Sequence, residues 1–151
     1  MFVYGTLKRG ERNHERFCSG ALRVEDGAVR GELYDLPHLD YPELVVPEDS
    51  VRAFGTADPA GDAALQERLA RGPALTPDGP LAFGEILYFD DEGSRLPAID
   101  RLEGFDPADA SSHYRRVLLP VESEEGQALL AWAYVVREPS GTHLPDGRWP
   151  P

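Results

Sequence analysis

Tyr114-Arg115-Arg116-Val117-Leu118-Leu119-Pro120-Val121 and Leu129-Leu130-Ala131-Trp132-Ala133-Tyr134-Val135-Val136 are two runs of strand length on either side of a polar break that contains Ser123-Glu124-Glu125-Gly126. Val, Tyr and Trp suit a pleated, packed surface, and charges with a glycine between two such runs are hairpin chemistry. These strands are expected to pair antiparallel. Shorter apolar or alternating runs at 2–4, 28–36 and 82–89 extend the pattern, so the domain reads as β-rich. Gly31-Glu32-Leu33-Tyr34 and Gly84-Glu85-Ile86-Leu87-Tyr88 share a flavour, but the second carries an extra residue and nothing else repeats. The chain holds similar strands and no tandem repeat.

Helical signals are sparser. Residues 62–71 lack glycine and proline, bring Ala63, Leu65, Leu69 and Ala70 loosely to one side, and lie between Pro59-Ala60-Gly61 and Gly72-Pro73. They predict a short helix carried on an insertion. Residues 94–103 space Leu96, Ile99 and Leu102 as a helix does, with Ser94 as candidate N-cap and Gly104 just past the end. Pro97 is expected within the first turn, which would place the start near Ser94. From Glu138 the chain is rich in Pro, Gly and charge and runs to Arg148-Trp149-Pro150-Pro151. The expected division is one domain over 1–137 followed by an irregular tail, 138–151.

The chain has 151 residues, 41% of them hydrophobic, which is enough for one core and one domain. Its formal net charge of -12 would repel a phosphate backbone, and the basic clusters Lys8-Arg9 and Arg115-Arg116 are short. No nucleic-acid partner is expected. A single cysteine, Cys18, can form neither an intramolecular disulfide nor a thiolate metal site, which points to a reducing, cytoplasmic setting. No charged leader precedes a long apolar run, and no apolar run approaches the roughly 20 residues of a spanning helix. No membrane partner is expected either, and the protein is read as a monomer or weak homodimer.

Two places carry chemistry. Met1-Phe2-Val3-Tyr4 runs straight into Gly5-Thr6-Leu7 and the basic, glycine-closed Lys8-Arg9-Gly10. A strand ending in glycine leaves backbone N–H groups without ladder partners, and clustered free N–H groups bind carboxylates or developing oxyanions. On the 94–103 helix, positions 96, 99 and 103 share a face, yet the third is Glu103. Desolvation and the negative helix end would both raise its pKa, which suits a general base and acid near neutrality. Periodicity leaves a second reading open: a carboxylate at a wet helix end, or one paired with Arg115 or Arg116.

Five segments in order resemble γ-glutamylcyclotransferase-like proteins: Phe2-Val3-Tyr4-Gly5-Thr6-Leu7 with Gly10 and Asn13-His14; Gly31-Glu32-Leu33-Tyr34 then Tyr41-Pro42; Ile99-Asp100-Arg101-Leu102-Glu103-Gly104; Tyr114-Arg115-Arg116; and Ala131-Trp132-Ala133-Tyr134-Val135. The resemblance implies an α+β fold, a small mixed β-barrel with a few short helices, and one glutamate projecting into a cavity beside the Tyr-Gly-Thr-Leu loop. Glu103 matches that glutamate. It also implies a cofactor-independent, metal-free reaction on a small γ-glutamyl substrate, in which the α-amine attacks its own γ-carbonyl and releases 5-oxoproline and an amine. Because both reacting groups belong to one molecule, positioning can supply about 7–11 kcal/mol. Glu103 is expected to shuttle the proton from the α-ammonium to the leaving nitrogen. The amides of Gly5, Thr6 and Leu7 are expected to bind the oxyanion or the α-carboxylate. Tyr4 and Tyr114 are expected to line the cavity, with the Tyr114 hydroxyl orienting the glutamyl portion or simply packing.

Other chemistries fit less well. Gly5 to Gly10 has P-loop glycine spacing, but Glu11-Arg12 stands where Lys and Ser or Thr are required. Lys8 and Arg9 then read as solvated loop charges. His14, His38, His113 and His143 are scattered, and His14 with Cys18 offers only two ligands, so no metal site is expected. Thr6 has no His-Asp pair in recognisable context to activate it. Arg115 and Arg116, adjacent on a strand, must face opposite ways, the inward one neutralising Asp100 or Glu103. Glu32 and Glu85 read as solvent-facing. Residues 54–80 match no motif and are a candidate cap over the cavity. The sequence leaves the amine open among glutathione, a γ-glutamyl dipeptide, an isopeptide-linked lysine and a γ-glutamyl natural product. The competing function is a binding module that holds a carboxylate or amino acid without turnover.

Overall fold

A computed structural model describes residues 1–70 and 79–151. In chain order the elements are β1 (Phe2–Val3), α1 (His14–Cys18), β2 (Arg23–Arg30), β3 (Glu32–Leu36), β4 (Tyr41–Val45), a 3-10 turn (Glu48–Ser50), β5 (Ala53–Phe54), α2 (Pro59–Leu69), β6 (Leu81–Tyr88), α3 (Glu92–Glu103), β7 (Arg115–Ser123), β8 (Ala128–Val135) and β9 (Thr142–Leu144). The hairpin read from the sequence is the centre of the larger sheet. β8 covers one edge of β7 from Arg115↔Val135 to Glu122↔Ala128. The other edge is shared by β5 at Ala53↔Leu118 and β2 at Gly27↔Ser123. β2 runs antiparallel along all of β6, which carries β1 on its far side. The six strands curl into a nearly closed barrel, and a second sheet, β4-β3-β9, packs beside it. This is the α+β barrel fold that the resemblance implies.

The core follows from which faces these strands turn inward. Phe2, Val29, Leu33, Leu44, Ile86, Val117 and Leu119 fill the space between the sheets. A second apolar cluster under α3 joins Val3, Leu7, Leu87, Ile99, Tyr114 and Tyr134.

Residues 28–36 form two strands where the sequence suggested one. A Cβ on Gly31 would stand 2.6 Å from the Val45 carbonyl oxygen, so glycine is what lets the chain pass from one sheet into the other. The helix predicted over 94–103 begins at Glu92, which leaves Pro97 beyond the first turn. Its missing N–H would have met the carbonyl of Gly93. That residue is exposed, which leaves its carbonyl open to solvent in place of the missing donor. The expected C-terminal stop is present, with Gly104 in the left-handed region at φ 66°.

The segment 138–151, expected to be irregular, contains a strand and a core residue. β9 pairs with β3 from Leu33↔Leu144 to Asp35↔Thr142. Trp149 is 4% exposed and donates from Nε1 to Asp35 Oδ1 at 2.8 Å. A three-residue strand among Pro and Gly has no periodicity to read, and tertiary contact alone decides it. No helix among the described residues is long and apolar enough to cross a membrane.

Candidate active site

β1 ends against the second sheet, and the turn that follows it is built by its carbonyls. The Gly5 carbonyl accepts from Lys8 N at 3.0 Å and the Thr6 carbonyl from Asn13 N at 3.0 Å. The Leu7 carbonyl accepts from His14 Nδ1 at 2.7 Å, and Asn13 Nδ2 donates to the Thr6 hydroxyl at 3.0 Å. The amides of Gly5, Thr6 and Leu7 find no acceptor among the described residues. Glycine at position 5 is a matter of space: a Cβ there would lie 2.8 Å from both Cγ and Cδ of Pro42.

The turn opens onto a cavity of about 580 Å³ whose wall includes Tyr4, Gly5, Thr6, Leu7, Glu103 and Tyr114. The six residues singled out from the sequence therefore border one space. Glu103, the last residue of α3, enters it because Leu96 and Ile99 on the same face are buried beneath. Burial pushes the Glu103 carboxyl up to about 7, with desolvation as the cause and no charge or hydrogen bond opposing it.

That isolation is arranged by the neighbours. Arg116, the inward arginine of the pair, is fully buried, and its Nε meets Asp100 Oδ1 at 2.8 Å while its Nη1 meets Asp62 Oδ2 at 2.9 Å. Tyr134 also donates to Asp100 Oδ1, at 2.7 Å. Of the two acids offered to it, Arg116 takes Asp100, one helical turn before Glu103, and leaves Glu103 without a counter-charge. Arg115 faces outward to Glu48 at 2.9 Å.

The two tyrosines expected at the cavity, Tyr4 and Tyr114, have committed their protons. Tyr4 donates to the Tyr134 carbonyl at 2.8 Å and Tyr114 to the Pro42 carbonyl at 2.9 Å. Their hydroxyl lone pairs remain, so each can accept from a ligand but has no proton to give. Burial raises both phenols above their ordinary range, which keeps them protonated.

Other expectations meet a different arrangement. Glu85 is buried and accepts from Arg9 N and Arg9 Nε, both at 2.8 Å, so it does not face solvent, whereas Arg9 stays exposed on the loop while paired with it. Lys8 reaches back to the Trp149 carbonyl. Among the described residues of 54–80, none borders the cavity. That segment instead supplies α2, whose buried Asp62 accepts from Thr56 and pairs with Arg116; residues 71–78 lie outside the described residues. Among the described residues no cluster of three or more His, Cys, Asp or Glu could hold a metal. The cavity also includes Arg12, Tyr41, His113 and Ser140, none of which the sequence reading had placed there. Behind them stands Glu43, fully buried on β4. Its signal was present, a carboxylate inside Pro42-Glu43-Leu44-Val45-Val46.

An unpaired glutamate and three main-chain amides without acceptors thus border one cavity beside the barrel. The chain belongs to the family described as gamma-glutamyl cyclotransferase, AIG2-like, which it matches over residues 1–65 and 53–151. Among curated proteins it is similar to gamma-L-glutamyl-butirosin B gamma-glutamyl cyclotransferase of Niallia circulans, 26% identical over 136 residues, covering 89% of this chain and 65% of that protein. The chain thus spans a little under two thirds of that relative. Two solved structures share the fold. YkqA from Bacillus subtilis matches with a TM-score of 0.59 at 19% identity, over 99% of this chain and 38% of that one. PH0828 from Pyrococcus horikoshii matches with a TM-score of 0.55 at 18% identity, over 99% and 87%.

Proposed function

We propose that the protein converts a small γ-glutamyl amide to 5-oxoproline and a free amine without a cofactor. The observation that carries this reading is the Glu103 carboxyl, unpaired and shifted to about 7, in the same cavity as the three free amides of Gly5, Thr6 and Leu7. The α-ammonium of the substrate loses a proton to Glu103 and is steadied by the lone pairs of Tyr4 and Tyr114. The freed amine attacks the γ-carbonyl carbon, a C–N bond forms within the five-membered ring, and negative charge gathers on the carbonyl oxygen. Fixed N–H groups stabilise that charge because they need no reorganisation when it appears. Glu103 returns the first proton to the outgoing nitrogen as its bond to carbon breaks, and the surplus proton that the ring nitrogen carries after attack passes through the same carboxylate to the released amine, which leaves as an ammonium, so the carboxyl ends the cycle as it began. A cavity of about 580 Å³ suits a folded glutamyl unit with a small amine attached.

The test is a mass-spectrometric screen of γ-glutamyl compounds with wild type and Glu103→Gln side by side. Wild type is expected to release 5-oxoproline from at least one compound, and the variant to lose at least about 100-fold in rate, the low end of general acid–base contributions. Tight binding without release by wild type would overturn the reaction in favour of a binding module.

A further inference from the structure

Glu43 is a buried carboxyl that the reaction above does not use. Its side chain is fully enclosed, a position that costs several kcal/mol unless both oxygens are satisfied. They are. Oε1 accepts from the Ser140 hydroxyl at 3.0 Å and lies 2.9 Å from His113 Nε2, and Oε2 accepts from the Ser140 amide at 2.7 Å. His113 packs edge-on against Tyr114, with ring centroids 4.9 Å apart and planes at 83°, and both residues border the cavity. With Nε2 beside the carboxylate, Nδ1 is the ring nitrogen left to meet a ligand, and it is an acceptor whenever the imidazole is neutral with its proton on Nε2. Nδ1 has no partner among the described residues, and the side chain is 52% exposed.

We propose that His113, oriented by Glu43, accepts a hydrogen bond from the amine portion of the substrate and so selects γ-glutamyl amides whose outgoing amine carries a second donor, a hydroxyl or an ammonium. The inference rests on the cyclotransferase reading. In that reading Glu103 and the free amides hold the glutamyl end, so the amine portion extends toward residues at the exposed rim. Of the polar groups near it, Arg12 pairs with Asp40 at 2.6 Å, and Ser140 is spent on Glu43. The half-exposed imidazole keeps a ring nitrogen for the ligand. A site built to receive a donor discriminates against the analogue that lacks it, because a polar group is then left unpaired.

The experiment compares γ-glutamyl ω-hydroxyalkylamides of two to four carbons with the alkylamides of the same length, reading kcat/KM from 5-oxoproline release. Wild type is expected to favour at least one hydroxyalkylamide by about tenfold. His113→Phe keeps the edge contact with Tyr114, removes both nitrogens, and should bring that ratio to about one. His113→Gln, with one donor and one acceptor, should keep part of the preference. Ser140→Ala removes a hydroxyl from the same carboxyl and should leave the ratio standing, whereas a merely structural cluster would move Ser140→Ala and His113→Phe together. Turnover of both series with no preference in wild type, or a preference that survives His113→Phe, overturns the assignment alone. Failure of wild type to release 5-oxoproline from any amide overturns the reaction and the assignment with it.

Discussion

At the scale of single residues the site is governed by what two side chains lack. Glu103 lacks a partner, and its titration is visible in two ways. A base with a pKa of about 7 makes kcat/KM climb roughly tenfold per pH unit below that value and level off above it, and a steady-state profile from pH 5 to 9 checks this. Stability runs the other way. The unfolded chain releases this proton near 4.5 while the folded chain holds it to about 7, so rising pH favours unfolding across that window and the loss persists above it. Glu103→Gln carries no such loss. Relative to wild type it should gain about 3 kcal/mol between pH 4.5 and pH 8, measured by urea unfolding at both ends. Gly5 lacks a Cβ, and Gly5→Ala would drive a methyl into the Pro42 ring. Overpacking of this kind costs about 1–3 kcal/mol. Displacing three adjacent amides should also lower kcat/KM by more than that stability loss accounts for, which parallel melting and kinetic measurements would separate.

At the scale of elements, Arg116 ties β7 to two helices. It bonds Asp100 on α3 and Asp62 on α2 and lies over the Trp132 ring at 5.1 Å. Arg116→Met fills much of the volume but strands two buried carboxyls, and the expected loss is about 3–5 kcal/mol by chemical denaturation. A loss under about 1 kcal/mol, the scale of a surface pair, would show the network to be ornamental. The strands of the central hairpin, β6 and α3 were legible in the sequence because each has the length and periodicity that burial on one face or two demands. The meeting of Glu103 with the turn after β1 was implied only by the family resemblance, since a helix face that breaks pattern at its last residue marks the glutamate but not what it faces. What stayed hidden was set by contacts distant in the chain. Asp62 looked like an insertion residue until Arg116 met it, Glu43 sits in a strand whose apolar alternation Pro42 interrupts, and β5 has only two residues.

At the scale of the whole molecule, the last described residues are part of the core and the site together. Ser140 borders the cavity, β9 extends the second sheet, and Trp149 enters the apolar centre. Trp149→Ala should cost about 3–5 kcal/mol, as large-to-small changes of a buried Trp do. Removing 138–151 should leave 1–137 without a cooperative thermal transition, and a sharp transition within a few degrees of the intact protein would overturn that expectation. The acid that α2 delivers beneath β7 has a practical bearing on chimeras within this family. A designer who trades the stretch between β5 and β6 for a shorter connector would take away one of the two carboxyls that hold a guanidinium in the interior. The graft would have to bring its own carboxyl, or be made in the same step as an apolar replacement at position 116.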